Sequence, residues 1–260
     1  MPISRKLPLV TDEISGRVRV RSYDVRIASQ QYANIAGLLA GFAFTVVILI
    51  AQENEPTLSD IEVLRRNIAA VGFFGSFFGC VLNSFVFALI SGEEALTPRT
   101  NQMAFFVAAS FSLSISLLFW SIAIILRTFL VEEVAAISYK IFPLFMMIHP
   151  IYVVSSILDN IYIFECRRPR FREYLVAIVP SLVPILIAFL LRIGKFTINA
   201  ELNLNVFYSV IWCFLGMIVL GNLAAAASSA LSEDFQLSIK LGSFWVCLHS
   251  ILISFLIVLI

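Results

Sequence analysis

Two histidines, His149 and His249, are the only imidazoles in this chain, and each sits near the middle of a long apolar stretch. Imidazole titrates near neutral pH, so a pair at membrane depth has the chemistry of a proton-sensitive element. Asn83 and Asn222 also fall within a few residues of the centre of apolar stretches, and Lys140 lies inside another. Polar and ionisable groups are costly in hydrocarbon, and where they occur they mark routes for ions or solutes. The five residues His149, His249, Asn83, Asn222 and Lys140 are therefore the candidate polar pathway. The packing alternative is a neutral histidine hydrogen-bonded in a filled core.

The stretch YKIFPLFMMIHPIY, residues 139–152, gathers Lys140, His149, Pro143 and Pro150. Each proline lacks an N–H, so the carbonyls of Tyr139 and Met146 lose their helical donors. Nine residues, about 900° of helix, put Lys140 and His149 on opposite faces. That geometry predicts His149 toward the bundle interior and Lys140 reaching toward the outer interface.

These residues must be positioned by membrane helices. The chain has 260 residues, is 60% hydrophobic and only 13% charged, with mean hydropathy +0.95. Crossing a hydrocarbon core of about 30 Å takes about 20 apolar residues. Seven stretches qualify: 32–51, 69–91, 103–126, 134–158, 174–193, 205–230 and 237–260. The expected fold class is all-α, a polytopic transmembrane helical bundle of about seven spans. Residues 1–31 read as a basic cytoplasmic tail ending in a helix that leads into the first span, with Ser22 as its N-cap. The alternation RVRVR within it suits a short strand. Residues 32–260 form the transmembrane domain. The polar residues before the first apolar run are too many for a secretory leader.

Orientation follows lysine and arginine in short loops. Arg5, Lys6, Arg17, Arg19, Arg21 and Arg26 lie in the tail, and Arg167, Arg168, Arg170 and Arg172 lie in the loop after the fourth span. With seven spans both groups share one side. The expectation is a multi-pass protein of the cell membrane, N-terminus cytoplasmic and C-terminus outside. The cluster Arg167, Arg168, Arg170 and Arg172 also suits anionic lipid headgroups.

Small residues predict packing. Ala33, Gly37, Gly41 and Thr45 form a ridge at four-residue spacing, and Gly75 and Gly79 repeat it in the second span. Such ridges let helix backbones approach closely. Within one chain they serve bundle packing, and between chains they would serve a homo-oligomer. In the third span Ser110, Ser114 and Ser121 share a face, with Ser112 and Ser116 nearly opposite, as for a helix with neighbours on both sides. Pro180 and Pro184 predict a kink in the fifth apolar stretch.

The function classes narrow accordingly. A net charge of +1 gives no field for nucleic acid. No paired carboxylates, HExxH or GxSxG lie at membrane depth, so an enzyme is not expected. Four cysteines without a CxxC pair, and two histidines without a nearby carboxylate, support neither a metal site nor any cofactor. The leading reading is a channel or a small-solute or ion transporter with a polar route through the bundle. The alternative is a non-transporting scaffold or sensor module acting through its tail and loops.

Overall fold

The computed structural model describes residues 10–11, 18–19, 25–52, 59–93, 97–129, 142, 170–193, 204–232 and 238–259. Six helices are long and apolar enough to cross a membrane: α1 Val25–Gln52, α2 Asp60–Ser91, α3 Pro98–Phe129, α4 Phe171–Ile193, α5 Leu204–Ser228 and α6 Ile239–Leu259. The protein is an all-α integral membrane bundle. In the tail, β1 Val10–Thr11 and β2 Val18–Arg19 pair antiparallel. The expected span 134–158 lies outside the described residues, apart from Phe142, which is buried beside Trp120 and its neighbours in one half of the core.

Local chemistry sets the helix ends beyond the apolar runs. At the start of α2, the Ser59 N–H and hydroxyl both donate to the Glu62 carboxylate, at 2.8 and 2.7 Å. The Glu62 carboxylate thus satisfies the N-cap N–H, the Glu62 half of a capping box. It begins α2 nine residues before the apolar stretch read from composition. At α3, Thr97 Oγ1 accepts from the Thr100 N–H at 3.1 Å, and Pro98 takes the first helical position, where its missing N–H costs nothing. The Arg170 N–H donates to Glu173 at 2.7 Å to open α4. This helix runs unbroken through Pro180 and Pro184. Ser181 Oγ donates to the carbonyls of Ala177 and Ile178 in the turn around the first proline.

Side-chain pairs fix the helix directions. Ser84 Oγ donates to the Ala33 carbonyl at 2.9 Å and Phe44 meets Phe77, so α1 and α2 are antiparallel. Phe87 meets Phe111 edge-on, and Arg99 binds Glu93 at 2.7 Å, so α3 runs back along α2. Trp120 meets Phe207 at one end of α3. Near the other, Arg99 Nη1 donates to the Leu231 carbonyl at 3.0 Å. Helix α5 is thus antiparallel to α3. Phe106 packs on Trp245 and Phe105 lies by Gly242, which makes α6 parallel to α3.

Two units result among the described residues. Helices α1, α2, α3 and α5 form a layered quartet, and α4 packs chiefly on α6, which touches α3 and α5 more sparingly. Helix α3 is central: 67% of its most apolar window is buried, against 22% for α1 and α4. The outer faces carry large apolar side chains such as Leu38, Phe85 and Trp212, which is the surface that lipid solvates.

The glycines Gly37 and Gly41 make no close approach to another helix among the described residues, contrary to the sequence reading. A Cβ on Gly41 would find no atom within 4 Å, and one on Gly37 would only touch Ser84 Oγ at 3.8 Å. The buried face of α1 is Ala36, Ala40 and Ala43 instead. That stripe lies about 100° around the helix from the glycines, and methyl side chains are already small enough for the approach. Gly41→Leu is therefore expected to leave the melting temperature in detergent unchanged or raised, because leucine would point to lipid and stiffen the helix. A clear drop would place another helix on this face.

Candidate functional site

The second glycine ridge is a notch for α3. Added Cβ atoms on Gly72 and Gly79 would collide with the hydroxyls of Ser121 and Ser114, and one on Gly75 would lie 3.4 Å from Leu117 Cδ1. From α5, Gly221 offers the same notch to Ser110. The serine face of α3, read from spacing alone, thus fits glycines on two neighbours. Each serine hydroxyl also donates within its own helix: Ser110 to the Phe106 carbonyl, Ser114 to Ser110 and Ser121 to Leu117. That bond satisfies the hydroxyl in a setting without water.

Above this notch the two asparagines meet. Asn222 Nδ2 donates to Asn83 Oδ1 at 3.1 Å and to the Ile218 carbonyl at 2.8 Å. Asn83 Nδ2 donates to Ser114 Oγ at 3.0 Å. The chain of donors is directional, Asn222 to Asn83 to Ser114 to the Ser110 carbonyl. Turning the Asn222 amide over would set its oxygen against two acceptors, so its orientation is fixed by the network. Both residues are buried, Asn83 fully and Asn222 to 5% exposure.

His249 is also fully buried. Its Nδ1 lies 2.8 Å from the Trp245 carbonyl, which can only accept, so Nδ1 carries the proton. The neutral ring then presents Nε2 as an acceptor. Because α6 is parallel to α3, with Trp245 against Phe106, His249 comes one turn further on, level with Ser110. Ser110 is in turn level with Gly221 and adjoins the Asn83–Asn222 pair. Four helices therefore contribute polar groups to one depth: Asn83 from α2, Ser110 and Ser114 from α3, Asn222 from α5 and His249 from α6. On α6 this layer adjoins two further buried serines, Ser243 and Ser250.

The structure places Asn83, Asn222 and His249 of the sequence candidates in this layer. Lys140, His149, Arg167 and Arg168 lie outside the described residues. Arg170 and Arg172 are exposed at the start of α4. Gly75 and Gly79 line the notch. The serines were legible as a face but not as part of the polar site. What could have joined them is that Asn83 follows Gly79 by four residues and Asn222 follows Gly221 directly, a coincidence of small and amide residues in two helices. Arg99, with its bonds to Glu93 and Leu231, was missed because it lies in the polar stretch ahead of the third apolar run. Among the described residues, no group of three His, Cys, Asp or Glu comes together that could hold a metal ion.

Comparison with protein families, with curated proteins and with solved structures finds no match.

Proposed function

We propose that the protein is a channel or a small-solute or ion transporter whose route passes the polar layer. The observation that supports this is the layer itself: amide, hydroxyl and imidazole groups from four helices at one depth of a lipid-embedded bundle. Each of these groups carries a desolvation cost at that depth, and the glycine notches already provide close packing. The seam between the quartet and the α4–α6 pair is the natural path. His249 lies on the α6 side of it, and Pro180 and Pro184 leave carbonyls on α4 without helical donors. Among the described residues the contact between the units is sparing, which suits a shift of one against the other as in alternating access. No catalytic role is assigned.

The test is purified protein in liposomes, assayed for ion and solute flux against protein-free vesicles. Flux above background is the expected result, and its absence across a panel of cations, anions and small solutes would remove the reading. The filled glycine notches favour the second reading, a non-transporting scaffold or sensor, which that outcome would leave standing. Self-association would use the lipid-facing ridge of Gly37 and Gly41.

Orientation extends the proposal. The start of α1, the end of α2, the end of α5 and the start of α6 share one end of the bundle. Ala177 packs with Val246 toward that end, and Ile185 and Ala188 pack with Ile253 and Leu256 toward the other, so α4 also starts there. Arg170, Arg172 and the basic tail then lie on one side. By the positive-inside rule that side is cytoplasmic, which sets Leu259 toward the outside, in the cell membrane. The arginines would meet anionic headgroups there. Helix α3 ends opposite to where α4 begins, as the seven-span reading requires. Cys166, four residues before Arg170, is then expected to resist an impermeant thiol reagent added to intact cells and to react once the membrane is opened. Labelling from outside would invert the topology.

A further inference from the structure

We propose that the Asn83–Asn222 layer binds a monovalent cation, a metal ion or an ammonium, with Asn222 Oδ1 as its seat. The argument rests on the direction of the hydrogen bonds. Each donor atom of the layer already has an acceptor. Asn222 Nδ2 serves Asn83 and Ile218. Asn83 Nδ2 serves Ser114. The hydroxyls of Ser114 and Ser110 serve carbonyls of their own helix, and His249 Nδ1 serves Trp245. The chain leaves one terminus: Asn222 Oδ1 is buried and has no hydrogen-bond partner among the described residues. A buried carbonyl oxygen without a donor is costly, and at membrane depth water is scarce.

The layer therefore lacks a positive partner rather than a negative one. An anion would need N–H or O–H groups, and the layer has committed its own. Among the described residues, the donors of α6 that lack a partner, the Trp245 indole N–H and the Ser243 and Ser250 hydroxyls, are all neutral and lie beside the layer rather than in the Asn83–Asn222 chain. Charge also limits the cation. Helices α3, α5 and α6 contain no aspartate or glutamate, and α2 has none beyond Glu62. Divalent ions draw on carboxylates to offset their dehydration. Neutral oxygens suit monovalent ions, as carbonyl rings do in channel filters. This deepens the proposed function by naming the substrate class, but binding stands or falls without transport.

The experiment is thermal unfolding of the purified protein in detergent, titrated with NaCl, KCl or NH4Cl and balanced to constant chloride with choline chloride. The melting temperature is expected to rise with at least one of these cations. A rise with ammonium alone identifies a hydrogen-bond donor, and one with sodium or potassium identifies a metal ion. Asn222→Leu should lose the rise. Asn222→Asp, of the same size, should move it to lower concentration, and it keeps the test informative if the leucine variant does not fold. No rise in the native protein, an equal rise in Asn222→Leu, or a response that follows the anion would each overturn the site. Cation response without flux in liposomes would remove the transport reading and leave the site. Flux without cation response would do the reverse.

Discussion

Gly79→Leu is expected to destabilise the protein by about 2–4 kcal/mol, seen as a large fall in melting temperature in detergent. Overpacking a filled core costs about 1–3 kcal/mol, and a built Cβ on Gly79 already collides with the Ser114 hydroxyl and lies 3.2 Å from Ile218 Cδ1. The same intrusion displaces Ser114 from Asn83 Nδ2, and interhelical hydrogen bonds in membranes contribute about 0.6 kcal/mol on average. Even Gly79→Ala should destabilise, because the first carbon of the side chain meets the obstacle. Ser114→Gly should then restore part of the loss in the Gly79→Ala background, since it vacates the colliding atoms. Additive losses in the double variant, or a neutral Gly79→Leu, would show that α2 and α3 are not in contact at this level. The contrast with Gly41→Leu is informative, since both residues belong to glycine ridges of similar spacing and only one meets a neighbour.

His249→Phe is expected to abolish flux, or its dependence on pH, while the protein still folds. Phenylalanine fills the same space beside Trp245, whose ring lies 4.8 Å from the imidazole. It removes the Nδ1 bond to the Trp245 carbonyl, which in a helix keeps its backbone partner, so the stability cost stays small. Far-UV circular dichroism and size-exclusion profiles matching the native protein check folding, and liposome flux across a pH series checks function. Native flux with unchanged pH dependence would reduce His249 to a packing residue.

The fold was legible in the sequence to the extent that lipid dictates it. Apolar runs of sufficient length become helices because no other open segment satisfies its backbone in hydrocarbon, and the six described helices lie on six of the expected runs. Their ends were less legible. Helix α2 begins with Asp60, Glu62, Arg65 and Arg66, which depress hydropathy, but Ser59 and Glu62 carry the spacing of a capping box and were the available signal. Which face of α1 is buried was not legible, because Ala36, Ala40 and Ala43 are as small in effect as Gly37 and Gly41, and the choice depends on the partner helix. The candidate site was half legible. Asn83, Asn222 and His249 stand out as polar groups in apolar runs. Their meeting at one depth depends on helix order and direction, which single-sequence periodicity does not encode.

The Asn83–Asn222 bond joins residues 139 positions apart, and that separation matters during synthesis. At about 5–20 residues per second, translation needs about 7–28 s to reach Asn222 after Asn83 has emerged. Ser114, only 31 positions on, arrives early and can occupy the Asn83 amide nitrogen. Among the described residues, the Asn83 side-chain carbonyl has no such early partner. The first three helices therefore enter the bilayer as an incomplete sheaf with a polar gap on the face awaiting α5. Until α5 arrives, the insertion machinery or a few trapped waters must shelter that face. Chains truncated after α3 should accordingly be retained and degraded rather than persist as a three-helix product.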